Sequence, residues 1–370
     1  MMEIRTVGDG LVWRNPKPHV ASRHAYFPSL ARLGGRRLAC SMAIAQAFEA
    51  PDMHSWVALS EDDGASWSLH GELFPRPRDG AWSDSCRITA LPGGGAAAFA
   101  LLADRRGREG EGLANPANLG FVPVSLRVLR SADGRSWGAA EEIRPPVEGP
   151  SFEICAPIVV LSDGRWVLPT STWRGWDGAC PGGMRMVAFV SPDGGRSWPG
   201  CWEVMDGAAE GVIHWESKIA ELSDGRLLAV AWAFDEKASR DLPNRFAVSG
   251  DGGKGWSRPL STGLQGQTMA VAALPGGGVL AVYRRTDRSG LWAEAARVDG
   301  ERWVRLAEAP LWGARAAGLT AHGENMVENF NVLRFGAPSL IPMPDGTFLC
   351  AFWCYEDCVS GIRWIRLAVE

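Results

Sequence analysis

Two apolar runs joined by a glycine-containing turn recur six times along this chain of 370 residues, and no other feature limits the fold as strongly. In each copy, such as IVVLSDGRWVLP, an Asp-Gly or Gly-Gly pair separates the two runs. These pairs favour tight hairpins because the turn residues must adopt positive φ. The copies occupy residues 29–40, 88–99, 158–169, 219–230, 271–282 and 340–351. Since they are spaced by about 62 residues, six similar units account for the whole chain.

A second motif, Ser-x-Asp-x-Gly-x-x-Trp, follows the hairpins at a similar interval. Its Asp can accept bonds from local backbone N–H groups, its Gly suits a left-handed position, and its Trp can pack on a neighbouring sheet. We therefore predict a structural role for these residues. Complete copies lie at 60–67, 191–198 and 249–256, and partial copies lie at 131–137 and 299–303.

The two motifs together predict four antiparallel strands per unit. The glycine hairpin joins strands one and two, and the Asp turn joins strands three and four. Six such units around an axis form an all-β, six-bladed propeller, here a single domain over residues 1–370. The last unit supplies three strands, at 337–342, 347–353 and 361–369. We expect residues 4–14 to complete it, because this closes the ring and removes an exposed sheet edge.

The composition and charge exclude several classes of protein. The chain has 45 Gly, 24 Pro and 18 Trp, which disfavours both long helical bundles and disorder. A net charge of −4 argues against a nucleic-acid partner. The longest uncharged apolar run, 90–103, is too short and too rich in glycine to span a bilayer, so no membrane partner is expected.

The cysteines and the first residues predict a cytoplasmic location. Eight cysteines show no paired Cys-x-x-Cys arrangement, and the segment 1–5 lacks the apolar core of a signal peptide. Reduced thiols are therefore expected. The histidines have no metal-ligand spacing, so neither a metal nor a cofactor is predicted.

The Asp turns and the sixfold repeat resemble the sialidase superfamily, in which such turns are called Asp-boxes or BNR repeats. The resemblance covers essentially the whole chain. It implies a site on the propeller axis, where the innermost strands begin. In that family three arginines hold the carboxylate of the substrate, a Tyr paired with a Glu is the nucleophile, and an Asp is the acid/base.

Glu216 is the strongest match to this family pattern. The segment 215–226, WESKIAELSDGR, resembles the family's Glu-Ser-Gln-Val-Val-Glu-Leu-x-Asp-Gly sequence in the fourth blade. Glu216 lies nine residues before its hairpin glycine, at the start of an innermost strand. Asp52, with His54 beside it, fits the acid/base position.

The chain departs from the family at the other positions. Tyr26 stands where the first arginine belongs, and Trp232 stands where the second belongs. Arg288, or the pair Arg284 and Arg285, matches the third only loosely. Ala337 occupies the position of the nucleophilic Tyr. Because aromatic rings cannot replace bidentate carboxylate recognition, these departures weigh against ordinary sialic acid hydrolysis.

Antiparallel topology indicates which polar residues share the face of the predicted site. The strand starts contribute His24, Tyr26, Asp84, Arg87, Glu153, His214, Glu216, Gln267 and Thr268. The loops contribute Asp52, His54, Trp173, Arg174, Trp176, Asp177, Arg284, Arg285, Glu356 and Asp357. Two long loops, 104–120 and 313–331, open on the same face, and the second contains His322, Glu324 and Glu328.

These residue types suit a carbohydrate site. Carboxylates can perform acid/base chemistry on a glycosidic bond, Trp rings stack on sugars, and Arg residues can hold a carboxylate. Glu216, Asp52 and Tyr26 are the predicted catalytic residues. The predicted substrate-binding residues are Arg87, Arg284, Arg285, His54, His214, Trp232, Trp173 and Arg174.

Three functions remain open on the sequence. The first is a sialidase-like exo-glycosidase for a small sugar glycoside, acidic or otherwise, with Glu216 and Asp52 as acid and base. The second is a lyase that cleaves a uronate-containing glycan through Tyr26 and a His. The third is a non-catalytic carbohydrate-binding or scaffold propeller. A small-molecule carbohydrate is the expected partner in the first, and the sequence predicts no oligomeric state.

Overall fold

The computed structural model describes residues 2–73, 81–316, 319 and 329–370. Their strands form six antiparallel sheets that follow one another along the chain. The all-β, six-bladed propeller predicted from the repeats is therefore confirmed.

The first three blades use the chain up to residue 205. Blade 1 contains β2 (His24–Gly34), β3 (Arg37–Ala45), β4 (His54–Ser60) and β5 (Ser68–Glu72). Blade 2 contains β6 (Trp82–Ala90), β7 (Ala96–Asp104), β8 (Val124–Ser131) and β9 (Glu141–Glu142). Blade 3 has a divided innermost strand and contains β10 (Ser151–Phe152), β11 (Val159–Val160), β12 (Trp166–Trp173), β13 (Met186–Ser191) and β14 (Gly200–Met205).

The last three blades use the remainder of the chain and one strand from its start. Blade 4 contains β15 (Val212–Glu221), β16 (Leu227–Asp235), β17 (Arg240–Ser249) and β18 (Leu260–Ser261). Blade 5 contains β19 (Gly266–Leu274), β20 (Gly278–Arg285), β21 (Leu291–Asp299) and β22 (Arg302–Trp312). Blade 6 contains β23 (Phe335–Pro342), β24 (Phe348–Glu356), β25 (Val359–Val369) and β1 (Ile4–Trp13), and a short helix α1 (Asn329–Val332) precedes it.

The N-terminal strand closes the ring, as predicted. β1 is the outermost strand of blade 6 and pairs antiparallel with β25, from Ile4 opposite Val369 to Trp13 opposite Ile362. The first and last strands of the chain therefore lie in one sheet, and the edge of β25 is covered.

The Asp-box turns connect the third and fourth strands of their blades, also as predicted. In the copy of blade 1, the Ser66 N–H donates to Asp62 at 2.9 Å, and the Gly64 N–H donates to the Ser60 hydroxyl at 2.8 Å. Gly64 has φ of 87°, which L-residues with a side chain rarely adopt. The Ser66 hydroxyl, at 2.6 Å, the Ser66 N–H and the Ser60 hydroxyl all donate to Asp62 and hold its pKa down to about 2, because they favour its carboxylate.

The core lies between the blades rather than within any one of them. Apolar clusters join each pair of neighbouring blades around the ring. The second strands are buried on both faces, and β20 is buried at every residue, which explains the continuous apolar runs in the sequence. Among the described residues, none of the helices has the length and apolar character needed to cross a membrane.

Candidate functional site

A cavity of about 160 Å³ lies on the propeller axis. The innermost strand or strand region of every blade contributes to its wall, which places the cavity at the centre of the ring. Comparable cavities of about 150 Å³ hold one benzene ring, so this one has room for a single sugar ring. One wall residue from each blade in chain order is Phe27, Arg87, Glu153, Glu216, Thr268 and Ala337.

A repeated β-bulge directs side chains into this cavity. The pairing of the innermost strand with its neighbour loses register at the same point in blades 1, 4, 5 and 6. At each bulge one residue adopts a left-handed backbone: Phe27, Glu216, Thr268 and Ala337, with φ between 45° and 53°. Each non-glycine residue in this region costs about 1 kcal/mol, and such strain collects at functional sites.

Three buried cations face the cavity. Arg87 donates to the Ser85 hydroxyl at 2.8 Å and to the Cys86 carbonyl at 3.1 Å. Arg284 donates to the Phe335 carbonyl at 3.1 Å, and Lys218 donates to the Glu216 carbonyl at 3.2 Å. None of the three cations forms an ion pair within 4.0 Å inside the described part of the chain. Their positive charge therefore remains available to an anionic group of a ligand.

Glu153 is a buried carboxyl in the same cavity. Burial raises its pKa to about 7, although the backbone N–H groups of Glu216 and Ser217 favour its ionised form. Its Oε1 accepts from Ser217 N at 3.4 Å and from the Ser171 hydroxyl at 3.3 Å. The Cys155 thiol donates to its Oε2 at 3.7 Å. Because this carboxyl retains a proton near neutral pH, it can act as a general acid.

Glu216 is another carboxyl of the cavity, whose wall also includes Glu49. Burial raises its pKa, and the charges of Lys218, Arg284 and Arg87 oppose that rise. Its Oε2 is buried and has no hydrogen-bond partner in the structure. A carboxylate surrounded by three cations but with one oxygen unbonded can act on a bound molecule as a base or a nucleophile.

Four aromatic rings stack along one side of the cavity. The ring centroids lie 5.2 Å apart for Phe121 and Trp173, 4.9 Å for Trp173 and Trp215, and 4.3 Å for Trp215 and Trp232. Trp173 Nε1 donates to the Leu119 carbonyl at 2.7 Å, which fixes the stack at one end. Aromatic walls of this kind bind the apolar faces of sugar rings.

A chain of hydrogen bonds connects this wall to Arg284. Trp232 Nε1 donates to Asp241 Oδ1 at 2.7 Å, and Gln267 Nε2 donates to Asp241 Oδ2 at 2.6 Å. Arg284 in turn donates to Gln267 Oε1. Burial lowers the pKa of Arg284 to about 10, so its guanidinium stays charged at neutral pH.

The sequence between residues 113 and 348 matches the family model of the BNR repeat-like domain. The match covers more than half of the chain. The chain belongs to this family. A search of curated proteins found no significant match.

Solved structures share the fold of this BNR propeller at low sequence identity. A protein of unknown function from Dyadobacter fermentans has a TM-score of 0.69 and 19% identity, over 99% of both chains. The NanB sialidase of Streptococcus pneumoniae has a TM-score of 0.64 and 13% identity, over 97% of this chain and 70% of that one. The α-L-arabinofuranosidase Arb93A of Fusarium graminearum, in complex with an iminosugar inhibitor, also has a TM-score of 0.64 and 13% identity, over 98% and 97% of the two chains.

The structure brings five of the sequence-predicted residues together in the axial cavity of the BNR propeller. They are Glu216, Arg87, Arg284, Trp173 and Trp232. Ala337, at the position of the family's nucleophilic Tyr, also lines the wall. The axial location implied by the resemblance thus agrees with the geometry of these residues.

Tyr26 lies beside the cavity rather than in its described wall. The neighbouring residue Phe27 occupies the bulge and lines the cavity instead. The Tyr26 side chain is fully buried, its hydroxyl lies 2.6 Å from that of Tyr355, and burial raises its pKa far above the ordinary value. This environment gives no support to Tyr26 as the base of a lyase.

Asp52 and His54 lie in a second cavity rather than in the axial one. Met53, between them, does line the axial cavity. The chain turns here, with the Met53 N–H donating to the Ala50 carbonyl at 3.0 Å just before β4 begins at His54, and this turn places Asp52 and His54 in the second cavity. The sequence spacing matched Asp52 to the family's acid/base position but could not reveal this turn.

Three further predicted residues are absent from the described wall of the axial cavity. His214 is buried, and this lowers its pKa to about 4. Arg174 forms an ion pair with Glu236 at 2.6 Å, and Arg285 pairs with Asp287 and Glu308. His322, Glu324 and Glu328 lie outside the described residues. The residues that the structure describes contain no cluster of three His, Cys, Asp or Glu side chains able to hold a metal.

Glu153 and Lys218 are the main additions that the structure makes to the predicted site. Glu153 was one of nine strand-start residues, and no motif distinguished it from the others. Lys218 lies two residues after Glu216, where the family segment has Gln, and this substitution was the available signal. That Glu153 and Lys218 line the same cavity is seen only in the structure, where blades 3 and 4 lie side by side.

Proposed function

We propose that this protein is a glycoside hydrolase that removes one small, acidic sugar from a glycoside in the axial cavity. The observation that supports it best is the pair of buried carboxyls, Glu153 and Glu216, in one cavity with three cations. Two carboxyls in unlike environments are the usual equipment for glycosidic bond hydrolysis.

In the proposed reaction, Glu153 and Glu216 have different roles. Protonated Glu153 donates its proton to the glycosidic oxygen as the bond to the anomeric carbon breaks. Ionised Glu216 assists at the anomeric carbon, either by direct attack or by accepting a proton from the attacking water. Water supplies the hydroxyl group of the released sugar, and its remaining proton restores the starting protonation of the pair.

The rest of the cavity matches an acidic sugar. Arg87, Lys218 and Arg284 can hold a carboxylate of the substrate, although they do not reproduce the arginine triad of sialidases. The aromatic wall offers a surface for the apolar face of the ring. A volume of about 160 Å³ favours one terminal sugar over the interior of a polymer.

The test is hydrolysis of 4-methylumbelliferyl glycosides of glucuronic, galacturonic and sialic acid, with glucoside and arabinofuranoside as neutral references. We expect turnover of at least one acidic glycoside. Glu216→Gln and Glu153→Gln should each lower kcat by about 10²–10⁴-fold, the usual effect of losing an acid/base residue.

Glu221→Gln is the matched control, because Glu221 is the last residue of the strand that contains Glu216 and lies outside the cavity wall. It should retain wild-type turnover. Wild-type activity in Glu216→Gln, or no turnover of any glycoside in the panel, would contradict the proposal.

A carbohydrate-binding propeller without turnover is the second candidate. Ala337 favours it, because the phenol that the resemblance implies is absent at this position of the wall. Under this alternative, calorimetry would detect binding of a free acidic sugar in the cavity while no glycoside in the panel releases its fluorophore.

A further inference from the structure

A second cavity, of about 500 Å³, lies in blade 1. Its polar and aromatic wall residues come from the segment before β2, from the start of β4 and from the end of β5. They include Ser22, Arg23, Asp52, His54, Trp56 and Glu72.

The two cavities are separated by a single loop, residues 46–53. Phe48, Glu49 and Met53 of this loop line the axial cavity. Pro51 and Asp52 of the same loop line the second cavity. A molecule in the second cavity is therefore one layer of chain away from a sugar held beside the axis.

Contacts within the wall hold its side chains in place. The Arg23 guanidinium lies over the rings of both Trp56 and Trp13, at 5.1 and 5.7 Å from their centroids. His54 Nδ1 lies 3.3 Å from Asp84 Oδ2, and Asp52 accepts from the Gln46 N–H at 3.2 Å. A wall fixed in this way binds a ligand without a large loss of side-chain entropy.

The chemistry of the second cavity differs from that of the axial one. Its wall combines two carboxylates, Asp52 and Glu72, with one guanidinium, Arg23. The axial wall instead combines three cations with the three carboxyls Glu49, Glu153 and Glu216. Carboxylates and a guanidinium can hydrogen bond to sugar hydroxyls, and the partly exposed Trp56 ring offers an apolar surface. Within the described ranges of the chain, the Asp52 carboxylate accepts only from the backbone N–H of Gln46, so an acidic ligand would meet a like charge beside it.

From these observations we infer that the second cavity is a binding site for neutral sugar units, adjacent to the axial site. Its volume accommodates more than one ring. Sugar binding in this cavity does not depend on the proposed hydrolase. The two ideas can therefore fail separately.

Calorimetric titration with neutral trisaccharides tests the inference, with cellotriose, xylotriose, mannotriose and arabinotriose as the probes. We expect at least one of them to bind, and Trp56→Ala to weaken that binding by about tenfold or more, the effect of losing an aromatic anchor. Ser22→Tyr provides an independent variant, because Ser22 is exposed at the wall and a phenol there fills the cavity without removing a buried group.

Glu216→Gln separates the two sites, because it changes the axial cavity alone. Trisaccharide binding should be the same in this variant as in the wild type, whatever its effect on hydrolysis. The inference is overturned if no trisaccharide binds at millimolar concentration. It is also overturned if Glu216→Gln abolishes the binding while Trp56→Ala and Ser22→Tyr leave it unchanged.

Discussion

Burial gives Glu153 a pKa of about 7, and this single value sets the expected pH behaviour of the molecule. As the proposed acid, Glu153 must carry its proton at the start of the reaction. Its neighbour Glu216 also has a raised pKa, but Lys218, Arg284 and Arg87 oppose the rise. Burial opposes the ionisation of both carboxyls, and the charge of Glu216 also raises the pKa of Glu153, so the pair favours a state with one proton shared between them.

The activity of the wild type should fall as the pH rises above about 7, because Glu153 then loses its proton. A pH profile of kcat/KM with an activated aryl glycoside measures this limb. In Glu153→Gln, whose amide does not titrate, the residual activity should lack the limb. An alkaline limb that persists unchanged in the variant would assign it to another group.

Folding stability gives a second measure of the same group. Since the folded pKa of Glu153 is raised, its stabilising contribution is complete below its ordinary value of 4.5 and is lost as the pH rises through 7. A shift of this size corresponds to about 3 kcal/mol. The Tm of Glu153→Gln minus the Tm of the wild type should therefore increase as the pH is raised from 4.5 to 8. A difference in Tm that stays constant over this range would contradict the assigned pKa.

At the scale of elements, the turns were predictable and the bulges were not. The Asp-box at 191–198 carries its own hydrogen bonds, so its sequence determines its structure. The bulge at Glu216 depends instead on the register of β15 against β16. Nothing in the local sequence 215–217 distinguishes a Glu with an extended backbone from one with φ of 48°. The strand could be predicted, but not the side chain it directs into the cavity.

Asp193→Ala should lower stability without changing catalysis, because its box lies between the third and fourth strands of blade 3, outside the described walls of both cavities. The Asp193 carboxylate accepts from Ser197 N at 2.9 Å, from the Ser197 hydroxyl at 2.6 Å and from the Ser191 hydroxyl at 2.8 Å. Losing this network should lower the Tm, because the backbone and hydroxyl donors of the turn lose their acceptor. Thermal melts and turnover of the aryl glycoside measure the two effects.

Asp299→Ala provides the comparison, because Asp299 belongs to the degraded copy of the motif and forms surface ion pairs with Arg297 and Arg302. Surface pairs contribute little, so this change should lower the Tm less than Asp193→Ala does. Equal losses of stability in the two variants would show that the intact motif adds nothing beyond a surface charge.

At the scale of the whole molecule, the sixfold spacing predicted the ring but not the relation between sites on different blades. Arg87 and Arg284 belong to blades 2 and 5, yet they face one cavity. Asp52 and Met53 are adjacent in sequence, yet they line different cavities. The spacing of a repeat specifies how many blades form and in which order. Which side chains meet depends on strand register and loop paths, and these are set by packing between blades.

Closure of the ring is the property that removal of residues 2–14 should test. Without β1, the β25 edge loses its partner from Ile362 to Val369 and exposes a row of backbone donors and acceptors. The truncated protein should unfold at lower urea concentration than the wild type, and light scattering should show self-association through the open edge. A synthetic peptide of residues 2–14 should restore the urea midpoint in proportion to its concentration, because it binds only the folded state. A scrambled peptide of the same composition should not. An unchanged urea midpoint after truncation would mean that the interfaces between blades stabilise the propeller without the pairing of β1 with β25.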